Sequence, residues 1–278
     1  MFHGDADDIN ESPAELVSTL GEVAERCARE AGATLLDWRT KFRAREKGPS
    51  DLVTDADFAS QAAIRQRLQQ ERPEDLFVGE EDEQDANVAE HQDRVCWVVD
   101  PLDGTANYVH GFPCYSVSVA AVMGTRLLAG AIYDPLRDEL FRAEQGAGAR
   151  LNGEPIRVTE AGRLADALVA VSLPPKATPD SEDLAHFVEV VQHCQAVRRT
   201  GSAALNLAYV ACGRLDAHWA HVIHPWDCAA GALLVSEAGG VVTASDASPF
   251  DVWKADYLVA STESLHAEIV QRLRLQGS

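Results

Sequence analysis

The apolar run Val95–Val99 passes directly into two acids, Asp100 and Asp103, within the segment WVVDPLDGTANY from Trp97 to Tyr108. A continuous run of this kind reads as a strand buried on both faces. A carboxylate at the end of such a strand is costly unless it is paired or bound to a metal. Pro101 fixes the backbone after Asp100, so the chain turns and both acids can face one point. Gly104 permits the tight turn. A helix starting near Thr105 would aim free N–H groups at whatever binds there, which suits a phosphate.

Around this strand the chain mixes strands and helices without strict alternation, which predicts an α+β layered architecture. Ser12, Pro13 and Glu15 form a helix start with a capping box. The apolar series Leu16, Leu20, Val23, Cys27, Ala31, Leu35 then carries an amphipathic helix of about 25 residues. Residues 1–11 are acidic and expected to fray. Arg43–Ser50 reads as a basic loop, followed by DLVTDAD (Asp51–Asp57) and a helix ending at Arg72-Pro73. A short strand, Leu76–Val78, runs into Gly79-Glu80-Glu81, and 82–94 reads as a polar surface loop. Strands are expected at 115–123, 127–133, 139–143, 167–172, 196–199, 215–219, 241–243 and 257–260. Helices are expected at 181–194, 202–212, 227–238 and 262–275, with Gly213 and Gly239 at left-handed C-terminal positions and Asn152-Gly153 as a turn. The reading is one catalytic domain over 12–278, with a metal-binding half at about 12–150 and a substrate-pocket half at about 151–278.

Forty-four acids against 24 bases give a formal net charge of −20. This argues against a nucleic-acid binder that works by neutralising phosphates and against binding to an anionic membrane. It leaves room for a phosphorylated small molecule held through cations. No apolar run reaches the ~18 residues of a membrane span, and the N-terminal residues lack the basic and apolar regions of a signal peptide. The six cysteines are scattered without a C-x-x-C pair. They read as core residues in a reducing cytoplasm.

The other acids complete the pattern. Glu80 ends a second short strand, Asp227 begins a helix after Pro225-Trp226, and Asp57 lies in a third acidic segment. Taken singly, each has a plainer reading as a turn, an N-cap or a solvated loop. If all five converge, their repulsion demands cations. An all-oxygen ligand set selects hard ions such as Mg²⁺ or Mn²⁺. Two such ions bridged by a carboxylate make a phosphoester-cleaving site.

WVVDPLDGTANY and PWDCAAGALLVSEAGG (Pro225–Gly240) resemble the two signatures of the inositol monophosphatase family of Mg²⁺-dependent, lithium-sensitive phosphatases. The resemblance covers about Leu16 to Leu273. It implies the layered α/β/α/β/α sandwich of the inositol monophosphatase and fructose-1,6-bisphosphatase type, two or three Mg²⁺ ions and a homodimer. It assigns Glu80, Asp100, the Leu102 carbonyl, Asp103 and Asp227 to the metals, with Asp100 bridging. It assigns Thr105 and Asp57 to the pair that orients the attacking water. The backbone N–H groups of Gly104 and Thr105, beside Asp103, form the phosphate cradle. Gly201, Ser202 and Ala203 match the loop that contacts the alcohol.

The implied substrate is a small polyol monophosphate, inositol 1-phosphate first. Histidinol phosphate is next, then fructose 1,6-bisphosphate or a bisphosphate nucleotide. A regulatory binding protein that kept the fold is the non-enzymatic alternative. The sequence departs from the family in one place. Relatives usually carry Glu seven residues before the last metal Asp, and here Ala220 stands there. A missing acceptor costs about 1–3 kcal/mol against a substrate that uses it. His221 is a candidate to contact substrate in its place.

Other features carry less. His218, His221 and His224 invite a zinc reading, but on strand and loop that spacing does not bring three side chains together. Ser116 and Ser118 alternate on a strand and read as packing. Lys47 reads equally as a residue reaching the metal region or as a solvated base.

Overall fold

The computed structural model describes residues 12–48, 51–82, 92–174, 178, 181–221 and 223–276. The expected frayed segment 1–11 lies outside the described residues, as does most of the expected loop 82–94. The first part of the chain comprises α1 (Pro13–Trp38), β1 (Ala44–Gly48), β2 (Asp51–Thr54), α2 (Asp55–Glu71), β3 (Leu76–Gly79), β4 (Val95–Asp103), α3 (Thr105–His110), β5 (Ser116–Met123), β6 (Arg126–Asp134), β7 (Glu139–Glu144), β8 (Gly148–Leu151) and β9 (Glu154–Pro155). The remainder comprises β10 (Leu168–Val171), α4 (Glu182–Val191), β11 (Ala196–Arg198), α5 (Ala203–Ala211), β12 (Ala217–Ala220), α6 (Pro225–Glu237), β13 (Val241–Thr243), β14 (Tyr257–Ala260) and α7 (Glu263–Gln276).

Local signals set the element ends. Ser12 caps α1: its hydroxyl accepts from the Glu15 N–H at 3.3 Å, and the Glu15 carboxylate accepts from the Ser12 N–H at 2.9 Å. Asn152 and Gly153 both adopt positive φ, 49° and 86°, which makes the expected turn between β8 and β9. One expectation fails: the basic stretch after α1 is not simply a loop. Ala44–Gly48 pairs antiparallel with β2 as a two-stranded ribbon. Its sequence AREKG has no apolar alternation, because residues 44–47 of this strand are exposed and leave no period-2 signal.

A seven-stranded sheet runs β3-β4-β5-β6-β7-β8-β9 and a five-stranded sheet runs β11-β10-β12-β14-β13. Helices α1 and α2 cover the outer face of the large sheet, α5 and α6 lie between the sheets, and α7, packed with α4, lies against the small sheet. The result is five layers, as expected. Strand β4 shows why the apolar run is continuous. Cys96 and Val98 enter the core shared with α5 and α6, while Val95, Trp97 and Val99 enter the core shared with α1 and α2. Both faces of the strand are covered by helices, so neither face can be polar.

Candidate active site

Strand β4 extends through both acids instead of stopping at Asp100. Asp100 lies opposite Ser118 and Asp103 opposite Ser116, so Pro101 and Leu102 together face the single residue Val117. This bulge re-aims the strand end. It is held by the Ser60 hydroxyl, which donates to the Pro101 carbonyl at 2.7 Å, and by the Leu102 N–H, which donates to Asp100 at 2.9 Å. Gly104 follows with φ 95°, and a Cβ there would meet the Cys114 carbonyl at 3.0 Å and the Gly201 carbonyl at 3.2 Å. Only glycine suits both the backbone angle and the space.

Three acids are fixed by helix N-termini, where backbone N–H groups favour negative charge. Thr54 is the N-cap of α2 and Asp57 its third residue. One Asp57 oxygen accepts from the Thr54 N–H at 2.8 Å and the Thr54 hydroxyl at 2.6 Å. The other faces the Thr105 hydroxyl at 3.2 Å, which also lies 3.1 Å from the Leu102 carbonyl. Asp227 repeats the device on α6: one oxygen accepts from the His224 N–H at 2.8 Å. Asp103 is held by the start of α5. It accepts from the Ala203 and Ala204 N–H groups at 3.0 Å each and from the Ser202 hydroxyl. At Asp227 capping engages one oxygen and leaves the other for a ligand, whereas both Asp103 oxygens accept, Oδ1 from the Ala203 N–H and Oδ2 from Ser202, Ala204 and Ser116.

Asp100, Asp103 and Asp227 offer ligand oxygens that all lie within 4.8 Å of one another. Asp100 is also within hydrogen-bond reach of Glu80. The Glu80 N–H donates to the Val99 carbonyl at 3.1 Å, which holds this acid beside the end of β4. Lys47 reaches Glu80 at 3.2 Å and Glu81 at 2.6 Å, so it pairs with the acids that follow β3. Burial, followed by the charges of Glu80, Asp103 and Asp227, pushes the Asp100 carboxyl well above its usual range. Asp227 is pushed up in the same way, by burial first and then by Asp103 and Glu80. Burial also raises Glu80 and Asp103. It lifts Asp57 to about 6 against the hydrogen bonds from Thr54. Buried and half-buried, mutually repelling, all-oxygen donors are the set that a hard divalent cation offsets, so these residues fit a metal site.

A cleft of about 330 Å³ opens beside two of these acids, Asp103 and Asp227, while Asp57, Glu80, Asp100 and Leu102 are not among its described lining residues. Its lining includes Asp103, Gly104, Thr105, Gly201, Ala203 and Asp227 of the expected residues, along with Leu52, Ser172, Leu173, Pro174, Arg199 and Ile223. Ser202 lies beneath it, buried against Asp103. The expectation for Ala220 and His221 is corrected. Ala220 is buried in the core between the sheets and does not line this cleft. His221 turns to His186, with 2.8 Å between ring nitrogens, and faces Asp256 at 3.7 Å. Strand alternation sends the Ala220 side chain inward, and the next residue leaves the sheet toward α4.

The three spaced histidines have separate partners. His218 contacts Ser172 and Tyr257, His221 contacts His186, and His224 stacks on Trp226. Sequence reasoning missed several supporting residues. Ser116 donates to Asp103 at 3.2 Å and so does more than pack. Asn107 bridges the Cys114 carbonyl at 2.6 Å and the Thr200 carbonyl at 2.8 Å, tying α3 to the loop before α5. Strand register gives the signal for Ser116. Nothing in the sequence pointed to Arg199.

Comparison with known proteins agrees with this geometry. The profile of the inositol monophosphatase family matches residues 16–277. An inositol-1-monophosphatase of Synechocystis is 37% identical over 265 residues, covering 94% of this chain and 91% of that protein. A Vibrio cholerae protein named Nus factor SuhB is 38% identical over 265 residues, covering 92% and 96%. The crystal structure of the extragenic suppressor protein SuhB from Bartonella henselae has a TM-score of 0.83 at 36% identity, covering 91% of this chain and 97% of that one.

Proposed function

We propose, from the premise that this chain belongs to the inositol monophosphatase family, that it is a Mg²⁺-dependent phosphatase of small polyol monophosphates, with inositol 1-phosphate the first substrate to test. Membership makes it a phosphoric monoester hydrolase of a metal-dependent family that acts on a small phosphorylated substrate. The observation that carries the finer reading is the convergence of Asp100, Asp103 and Asp227 within 4.8 Å, beside the Asp57–Thr105 pair.

Glu80, Asp100, Asp103, Asp227 and the Leu102 carbonyl would hold the cations. Bound there, Mg²⁺ would polarise the phosphoryl group and acidify water. The protein's own groups supply position and proton handling. Asp57, with one oxygen committed to Thr54, can accept a proton through Thr105. The Thr105 hydroxyl, placed between Asp57 and the Leu102 carbonyl, orients a water toward the cleft. Gly104 and Thr105, at the strand-to-helix turn, present backbone N–H groups to the phosphate. Asp103 and Ser202 fix the start of α5, so Ala203 and Gly201 flank the alcohol. Positioning and electrostatics carry the catalysis.

A homodimer in the cytoplasm, without nucleic-acid or membrane partners, is part of this reading. All six cysteines are free thiols, the net charge is −20, and no described helix is long and apolar enough to cross a membrane. Relatives named Nus factor SuhB favour one second reading, a binding role in addition to hydrolysis. The deciding experiment measures phosphate release, with and without Mg²⁺, from inositol 1-phosphate, histidinol phosphate, fructose 1,6-bisphosphate and 3′-phosphoadenosine 5′-phosphate. Mg²⁺-dependent release from at least one of them is expected. A folded protein that releases phosphate from none of them, and instead retains a partner in a pull-down, would leave the binding role alone.

A further inference from the structure

We propose that Arg199 makes this cleft prefer phosphomonoesters whose alcohol carries a second negative group, a carboxylate or another phosphate, over uncharged polyol phosphates. The proposal rests on the phosphatase reading above and concerns which alcohol the same site selects.

The cleft lining holds two unlike sets of residues. One set is acidic, Asp103 and Asp227, which make the floor. The other is apolar, Leu52, Leu173, Pro174 and Ile223. Ser172 also lines the cleft, and its hydroxyl is engaged by His218 at 3.1 Å. Among the described lining residues, the carboxylates are Asp103 and Asp227, both committed to the floor. Ala220 adds no acceptor. Each hydroxyl of a bare polyol must find an acceptor or lose hydration without compensation. This lining provides few.

Arg199 is the cationic side chain in the described lining. It is exposed and makes no hydrogen bond or ion pair with any described residue. Its backbone is nonetheless firmly placed. The Thr200 carbonyl accepts from Asn107 at 2.8 Å, the Thr200 hydroxyl bonds Asn206 at 2.8 Å, and Gly201 has φ 84°. Ser202 donates to Asp103. The guanidinium therefore hangs from a loop tied to the acid floor, while its own donors remain unspent. A planar fork of N–H donors pairs best with a carboxylate or phosphate. In a chain of net charge −20, a cation in the cleft lining also draws a second anion there. The hydrolysis itself is unchanged. The oxygen of water bonds to phosphorus, the bond from phosphorus to the alcohol oxygen breaks, and one water proton ends on the alcohol.

A matched pair tests this directly. Glycerol 2-phosphate and 2-phosphoglycerate differ by a hydroxymethyl group replaced with a carboxylate. Inositol 1-phosphate and inositol 1,4-bisphosphate extend the test to a second phosphate. With Mg²⁺ at pH 7.5, kcat/KM for the more anionic member of at least one pair is expected to be about tenfold higher, the scale of one charge-assisted contact. Arg199→Gln should bring that ratio toward one, Arg199→Lys should fall between, and added salt should shrink the wild-type ratio. Equal kcat/KM within both pairs would overturn the proposal and leave the phosphatase reading standing. A ratio that Arg199→Gln does not move would do the same, as would an Arg199→Gln effect confined to the native mass of the particle. Absence of Mg²⁺-dependent release from all four compounds would remove the phosphatase reading and this proposal together.

Discussion

On the acid side of the cleft, each of three carboxylates is bound to the start of a helix. Asp57 is tied to Thr54, Asp227 to His224, and Asp103 to Ser202, Ala203 and Ala204. Elsewhere in the lining, Arg199 has no described partner, and Leu52, Leu173, Pro174 and Ile223 are apolar. The difference teaches where the fold puts its rigidity. Phosphorus chemistry needs oxygens held in place before substrate arrives, so the floor is over-determined by caps that double as ligand holders. On the proposed reading, discrimination among alcohols would rest on a few side chains that can change without disturbing those caps.

Substitutions that strike the floor should therefore have the largest effects. Asp100→Asn is expected to lower kcat by about 10³-fold, at the upper end of what loss of one electrostatic group costs. The same change removes a buried, repelled carboxylate, so the metal-free protein should melt at a higher temperature than wild type. Steady-state kinetics and calorimetry on one preparation would test both signs, and full activity with Mg²⁺ would break the floor's assignment.

Thr105→Ala should lower kcat by about 10²-fold with little change in KM, the scale of lost proton handling. Thr105→Ser keeps the hydroxyl and should recover most of that loss. An equal defect in both variants would mean that packing, not the hydroxyl, is what Thr105 supplies.

Metal and pH sharpen the comparison next. The floor carboxyls are raised in the metal-free fold, with Asp57 at about 6, against an ordinary value of about 4 when unfolded. Between those values the folded state holds more protons than the unfolded one. Its stability therefore falls as pH rises from about 4 through 6. Thermal melts without metal should show that decline. Mg²⁺ should raise the melting temperature more at pH 7.5 than at pH 5, because cations compete with protons for the same oxygens. Stabilisation by Mg²⁺ that is independent of pH would argue that it binds elsewhere.

The smallest floor effect belongs to Ser116→Ala. Asp103 keeps its three contacts at the start of α5, so the loss should be about 1 kcal/mol of stability and less than tenfold in kcat/KM. A loss as large as that of Asp100→Asn would show that the strand side, not the helix side, fixes Asp103.

Much of the fold was legible because its signals are local. The Ser12 cap, the Asn152-Gly153 turn and the doubly buried run at Val95–Val99 each announce themselves within a few residues. The ribbon strand β1 was not legible, since its residues 44–47 are exposed. The acids were legible as a set because a carboxylate after an apolar strand or at the start of a helix is anomalous wherever the chain goes. Their supports were not. Ser116 meets Asp103 across 13 residues of sequence and Ser202 meets it across 99.

By itself the sequence determined most of the helices and core strands, the oxygen-rich chemistry and the family, since these depend on residue types and short spacings. Tertiary structure alone decided which acids share a point, that His221 turns to His186, that Ala220 faces the core and that Arg199 lines the cleft. Those outcomes depend on strand register, a two-residue bulge and the docking of a loop onto α3, and such long-range pairings leave no periodic trace in the chain.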